Sequence, residues 1–466
     1  MADKCKSFGL SVAVFVLLFF HFAPNFPGLT QAGQSTIGLT LFFLILLVSE
    51  ALPITLASLL TVGLIPVFGV SEWFADAVLG FSHPVIFFII ASFAIAGAIM
   101  NVPLPRRILL FLVIRTRPNV EMVLLSMMVA TAVVSFFISN VPACAIMMVV
   151  ALEFVGMTED GPAKKSLGKT FMIAIPVATM IGGIATPASS SLNLLALGIL
   201  YGQTGMTVSF IHWMIIGVPL VVVLIPLAWL LMIKVYKPHQ IDEERVREYR
   251  HRLEHEVNSG FSKKEMLVLI IMSVTLVLWI GSSWVESIEI FTVSLLCAVV
   301  FMMPGVQVIS PKKFVESINW DVIFICGTVL SLAAAFVTNG VSSWIGELAT
   351  LVSFDFHVMI LVGFAAFVSF MMLLIITSAP ALITVLAAPL IAIALAGGIS
   401  PAYVIIALAI CAGNCYLLPL DTVQLITYSK GYYRMTDMSK STIFLQLVIV
   451  VLLALWIPFI GGILGI

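Results

Sequence analysis

Apolar positions run along this chain in long stretches, and polar residues collect in short joints between them. Stretches at about 8–24, 36–52, 53–69, 83–103, 170–200, 211–235, 266–284, 289–304, 319–339, 402–428 and 443–461 are near spanning length. Two more apolar segments, about 119–157 and 345–397, are long enough to fold back on themselves. A span needs roughly 20 mostly apolar residues, and only helices or closed barrels satisfy the backbone in lipid. The runs are too continuous for barrel strands. The pattern predicts an all-α integral membrane protein of about 11 transmembrane helices with two returning segments.

Composition agrees: 61% of the 466 residues are hydrophobic and 10% charged. A net charge of −1 provides no global field for nucleic acid or an acidic partner. The placement of charge is more telling. All 22 Lys and Arg fall into clusters: Lys4 and Lys6, Arg106 to Arg117, Lys164 to Lys169, Lys234 to Lys264, Lys312 and Lys313, and Lys430 to Lys440. Cationic loops stay in the cytoplasm. Tracing the spans from a cytoplasmic amino terminus puts every cluster inside and the carboxyl terminus outside. Segments 119–157 and 345–397 each start and end on one side, and charge alone does not separate a double crossing from a dip and return.

The run Phe8 to Phe22 follows two lysines as in a signal peptide but shows no small-x-small cleavage site, so it reads as a retained first helix. The six cysteines lie in apolar runs or at the amino terminus and read as reduced packing residues. Cys411 and Cys415 have i, i+4 spacing, but no His or acid pattern completes a metal site. The mixed-charge loop from Lys237 to Lys264 reads as a solvated, partly helical linker.

The chain repeats itself. Val85-Ile86-Phe87-Phe88-Ile89 resembles Val322-Ile323-Phe324-Ile325. Ser139-Asn140-Val141-Pro142-Ala143 resembles Thr377-Ser378-Ala379-Pro380-Ala381, and Thr186 matches Thr422. The offsets are 237, 238 and 236 residues. The halves enter the membrane from opposite sides, and inverted repeats with helices interrupted at matching places point to a secondary transporter whose breaks form its site. The breaks are Ser139 to Pro142, Ala185 to Asn193, Thr377 to Pro380, and Pro419 to Thr422. Freed carbonyls there suit a hard cation, and helix amino-terminal ends suit an anion. The sequence has no nucleotide loop, no metal-ligand cluster and no nucleophile with a base in reach, which argues against an enzyme.

Ser49-Glu50-Ala51-Leu52-Pro53-Ile54-Thr55-Leu56-Ala57-Ser58-Leu59-Leu60, running to Gly69-Val70, resembles an early motif of the divalent anion:sodium symporter family. Ile181-Gly182-Gly183-Ile184-Ala185-Thr186-Pro187 with Asn193 resembles its first Thr-Pro loop. Leu418-Pro419-Leu420-Asp421-Thr422 to Gly431, with Asp437-Met438, resembles its second. The resemblance implies an elevator-type homodimer in a cell membrane with two re-entrant hairpins. Its scaffold would be 1–118 and 265–344, its transport domain 119–236 and 345–466, and its cytoplasmic linker 237–264. It implies Na+ as coupling ion and a small divalent anion as substrate, a di- or tricarboxylate or a sulfate- or sulfonate-like ion. The implied substrate positions are Asn140, Val141, Thr186, Asn193, Ser378, Ala379 and Thr422. The implied Na+ positions are Ser135, Ser139, Asn140, Ser189, Thr377, Ser378 and Asp421. Ser190 lies in the same first loop.

Departures from the family pattern bear on substrate. Both tip threonines are replaced, by Val141 and Ala379, the second tip asparagine is Ser378, and Val423-Gln424-Leu425 stands where Pro-Pro-Asn is frequent. These changes remove donors from the expected carboxylate side. Asp421 is the one acid deep in a span, where an ionisable group is costly and functional by default. It could ligate a cation, carry a proton, bond a broken helix end or touch substrate, the first two being favoured. Glu50, His83, Glu153, Asp321 and Glu347 lie near span ends, at water. Anion exchange on the same fold, with no cation gradient, is the alternative activity, and an anion channel is a more distant one.

Overall fold

The computed structural model describes residues 2–117, 119–241, 243–257, 260–285, 287–350, 357–374, 376, 378–419 and 421–466. Every long apolar run is helical, and no strand occurs among the described residues. The first run is α1 (Ala2–Phe22), packed along α2 (Gln31–Val48). Gln34 donates from Nε2 to the Phe20 and Ala23 carbonyls at 2.8 and 3.0 Å, satisfying the open end of α1. α3 (Ile54–Val67) and the short α4 (Phe74–Ala77) lead to α5 (Pro84–Met100), capped by His83 and begun by a proline that needs no N–H there. The cationic joint after α5 is itself a helix, α6 (Leu104–Arg115), bent 61° away.

Next come the first returning pair, α7 (Val120–Ser135) and α8 (Asn140–Gly156), then α9 (Pro162–Gly182), α10 (Ser191–Thr204) and α11 (Phe210–Tyr236). The charged linker holds α12 (Glu243–Val257), and the chain continues through α13 (Lys263–Gly281), α14 (Ile290–Met302), α15 (Pro311–Ser317), α16 (Trp320–Thr338) and α17 (Val341–Thr350). The second returning pair is α18 (Val358–Leu373) and α19 (Ala379–Ala396), followed by α20 (Pro401–Ala412), α21 (Thr422–Tyr428) and α22 (Met435–Leu464).

Among the described residues, six helices, α2, α11, α13, α16, α19 and α22, are long and apolar enough to cross a membrane alone, or up to seven if the bent α5 and α6 count as one. Other apolar helices, among them α3, α7, α8, α14, α18 and α20, have 10–17 residues. α7 and α8 have 16 and 17 residues, about 24–26 Å at 1.5 Å per residue, less than the roughly 30 Å of a bilayer core. The chain is therefore a multi-pass helical membrane protein.

α9 and α20 form the centre. From Phe171 to Ile181 and from Val404 to Cys411 nearly every side chain is fully buried, as expected of helices that are apolar all round. The peripheral α13 instead exposes Met266, Ile270, Val274 and Val277, a face for lipid. The linker is less solvated than its composition suggests. α12 buries Val246, Tyr249 and Leu253, with Tyr249 edge-on to Phe154 at 5.0 Å, and Arg245 donates to the Met157 carbonyl at 3.1 Å. Its apolar positions recur at i, i+3 and i+7, one face of a helix, which overall polarity conceals.

Candidate functional site

α9 ends inside the protein at Gly182 and Gly183, where side chains cannot fit. A Cβ on Gly182 would lie 2.6 Å from the Ala132 carbonyl oxygen, and one on Gly183 would lie 2.5 Å from Asn140 Oδ1. The first returning pair thus presses directly against the end of α9. After the break, Thr186 caps a short 3-10 turn, Pro187–Ser189, and Ser190 caps α10.

The side chains around this break converge on the backbone carbonyls of Phe136, Thr179, Gly183 and Thr186, of which Thr179 also accepts the Gly183 N–H at 3.0 Å. Ser135 Oγ lies 2.9 Å from both Asn140 Oδ1 and the Thr179 carbonyl. Ser189 Oγ lies 2.8 Å from the Gly183 carbonyl and 2.6 Å from that of Thr186. A hydroxyl has one proton, so each of these two hydroxyls is shared between two acceptors. Asn193 Nδ2 donates to the same Gly183 and Thr186 carbonyls at 2.9 and 3.1 Å. Thr186 Oγ1 donates to the Phe136 carbonyl and accepts from the Ser189 N–H, each at 3.1 Å. Ser135, Thr186, Ser189 and Asn193 are all buried, and Asn140 is 8% exposed. A buried, oxygen-rich, thiol-free set of this kind suits a hard monovalent or divalent cation, so the residues fit Na+.

α8 and α19 begin alike. Ser139 caps α8 and Ser378 caps α19, and neither side chain bonds the first-turn N–H groups. Both helix starts therefore offer backbone donors to an anion. Val141, at the tip of the first pair, is 38% exposed, whereas Ala379 is buried. Thr377 lies outside the described residues.

The second break is closed differently. Asp421 Oδ1 accepts the Val423 N–H at 2.9 Å and caps α21, while Gln424 Oε1 accepts the Asp421 N–H at 3.4 Å. Gln424 Nε2 reaches across to the Cys415 carbonyl. Thr442 Oγ1 donates to the Tyr416 carbonyl at 2.7 Å, and Gln446 Oε1 accepts the Tyr416 N–H at 3.2 Å. The Cys144 thiol contacts the Val423 carbonyl at 3.4 Å, which seats α8 against α21 and brings Asp421 and the exposed Thr422 to the first pair.

The sequence-marked residues Ser135, Asn140, Thr186, Ser189 and Asn193 thus meet around one break. Sequence reasoning missed the Thr179 carbonyl, Gln424 and Gln446. A carbonyl has no signature in sequence, but Gln446 did: it is an uncharged polar residue inside the apolar run of α22.

The fold has solved counterparts. The YdaH transporter of Alcanivorax borkumensis superposes with a TM-score of 0.58 at 14% identity, over 81% of this chain and 85% of its own. Neisseria gonorrhoeae MtrF, described within a class of antimetabolite efflux pumps, gives 0.58 at 11% identity over 99% and 94%. At these identities the likeness is one of fold alone. Among characterised sequences, the sodium-dependent dicarboxylate transporter SdcS of Staphylococcus saprophyticus is 26% identical over 97% of this chain and 90% of its own. SdcS of Staphylococcus aureus strain USA300 is 24% identical over 94% and 87%. The family described as the sodium:sulfate symporter transmembrane region matches residues 4–466, almost the whole chain, and the protein belongs to that family.

Proposed function

We propose that the protein carries a small dianion with Na+, and that Ser135, Asn140 and Ser189 with the Thr179, Gly183 and Thr186 carbonyls hold the cation. Sodium-coupled secondary transport of a dicarboxylate- or sulfate-like anion goes with membership of the family, which is one of transporters and not of enzymes. The observation that carries the site is the Ser135 hydroxyl, placed 2.9 Å from two buried oxygens with one proton to share. A bound cation would relieve that crowding and fix the first tip.

The anion would lie against the open starts of α8 and α19, contacted by Asn140, Ser378, Thr186 and Thr422, with Asn193 behind the first loop and Val141 and Ala379 as apolar walls. Ser139, Thr377, Ser378 and Asp421 are the further cation positions. Charge compensation by Na+ matters because moving a bare ion out of water costs several kcal/mol even after relaxation. The short paired helices support re-entrant hairpins, and the matching offsets support inverted repeats. On this reading 119–236 and 345–466 slide as a transport domain against a scaffold of 1–118 and 265–344 in a homodimer. Charge placement supports a multi-pass inner-membrane protein with a cytoplasmic amino terminus and an external carboxyl terminus.

One observation favours exchange as a second reading. Leu373 is buried five residues before Ser378, where the first pair has Ser135 before Asn140, so the second half lacks one cation-facing hydroxyl. Uptake into proteoliposomes separates the two. An imposed inward Na+ gradient should drive accumulation of a labelled dianion in wild type and not in Asn140→Ala. Uptake indifferent to Na+ but dependent on internal anion would replace symport by exchange.

A further inference from the structure

A second charged site lies away from the breaks, where α9 and α22 begin and α11 ends. Lys165, Ser166, Lys169, Tyr236, Asp437 and Lys440 line a cavity of about 370 Å³. Asp437 is buried and bridges two of the lysines, its Oδ2 3.0 Å from Lys169 Nζ and its Oδ1 3.1 Å from Lys440 Nζ. It also accepts the Arg434 N–H at 3.0 Å. The carboxylate thereby accepts three hydrogen bonds, whereas each ammonium has three donors and uses one on it. Lys165 forms no ion pair at all among the described residues and is exposed. Three ammonium groups against one carboxylate leave the cavity at +2.

The membrane side of the cavity is equally informative. Below Lys440, Phe444, Leu447, Val451, Leu455 and Phe459 continue along the same face of α22, and all are exposed. Val235, on the cavity wall, is exposed as well. A cationic cup therefore opens onto an uncovered apolar stripe, at the level where basic residues mark the cytoplasmic leaflet. A free phosphate would use the cup only; a phospholipid would use both parts.

We propose that the cup seats the phosphate of an anionic phospholipid whose acyl chains lie along the α22 stripe. Asp437 acts as a positioning residue that spreads Lys169 and Lys440 to either side of the phosphate.

The test is a thermal-unfolding titration of the full chain in neutral detergent with phosphatidylglycerol, phosphatidylcholine or inorganic phosphate. Phosphatidylglycerol should raise the unfolding temperature at lower concentration than phosphatidylcholine, and inorganic phosphate should have no effect. With about 1 kcal/mol per lysine near the surface, Lys165→Gln should weaken the phosphatidylglycerol response about fivefold and K165Q/K440Q about 30-fold. Lys165 has no ion pair to lose, so the single variant should unfold like wild type without lipid and keeps the test valid if the double variant is unstable. An unchanged titration in Lys165→Gln, or equal responses to the two lipids, would overturn the proposal. A full response to inorganic phosphate would overturn the lipid assignment.

Discussion

The Ser135 hydroxyl stands 2.9 Å from the side-chain oxygen of Asn140, across the turn that separates α7 from α8. The pair joins the last turn of one helix to the first residue of the next, so the shape of the tip depends on what lies between them and the Thr179 carbonyl.

Ser135→Ala removes one oxygen and one proton from that cluster and leaves the volume nearly unchanged. A hydrogen bond or ligand to a charged group is worth about 1.5–3 kcal/mol, so the Na+ concentration for half-maximal uptake should rise at least tenfold. Anion affinity at saturating Na+ should change much less. Uptake measured against Na+ at fixed anion checks this, and an unchanged Na+ curve would remove Ser135 from the cation site.

Val141 is 38% exposed at the tip, so Val141→Thr adds a hydroxyl of the same shape without entering the core. If the apolar tip is what disfavours carboxylates, V141T should lower the KM for succinate about tenfold and leave sulfate uptake nearly unchanged. Competition of the two anions in one uptake assay reads the ratio. Equal effects on both would assign Val141 to packing. Ala379→Thr should instead reduce expression, because Ala379 is buried.

Asp437 gives the protein a pH-dependent brace. Burial alone would raise its carboxyl, but the Arg434 N–H, Lys169 and Lys440 outweigh it and hold it at about 2, from an ordinary value of 3.8. A depressed carboxylate stabilises the fold above its unfolded pKa. The contribution, about 2 kcal/mol, is present above about pH 5 and fades as pH falls toward 2. Wild type should thus lose more thermal stability between pH 6 and pH 3 than Asp437→Asn, which should already be weaker at pH 6. Parallel melting curves for the two proteins across that range would contradict the assignment.

Much of the candidate site is legible in sequence because it rests on residues that are out of place in a bilayer. Ser139-Asn140 with Pro142 and Thr186-Pro187 interrupt apolar runs, and a matching interval links them to Ser378 and Thr422. What stayed hidden was carried by atoms or faces without a sequence signature. The Thr179 carbonyl is a backbone atom that also closes its own helix by accepting the Gly183 N–H, so no side-chain pattern marks it as an acceptor for Ser135. The link from Gln424 to the Cys415 carbonyl depends on how a chain break folds, and α12 docks through three apolar residues diluted among charges.

Asp421 tests whether the second break serves a cation or only holds a helix. Its carboxylate caps α21 by accepting the Val423 N–H, and asparagine caps a helix about as well as aspartate. Asp421→Asn therefore removes the charge and keeps the cap, whereas Asp421→Ala removes both, at about 1 kcal/mol for the cap. If the charge faces a cation, D421N should unfold like wild type yet need about tenfold more Na+ for half-maximal uptake, and D421A should show the same Na+ defect with lower thermal stability. If capping is the whole role, D421N should match wild type in both measurements and only D421A should be impaired. The asparagine variant thus decides the matter, because it leaves the local backbone satisfied and changes only the field at the site.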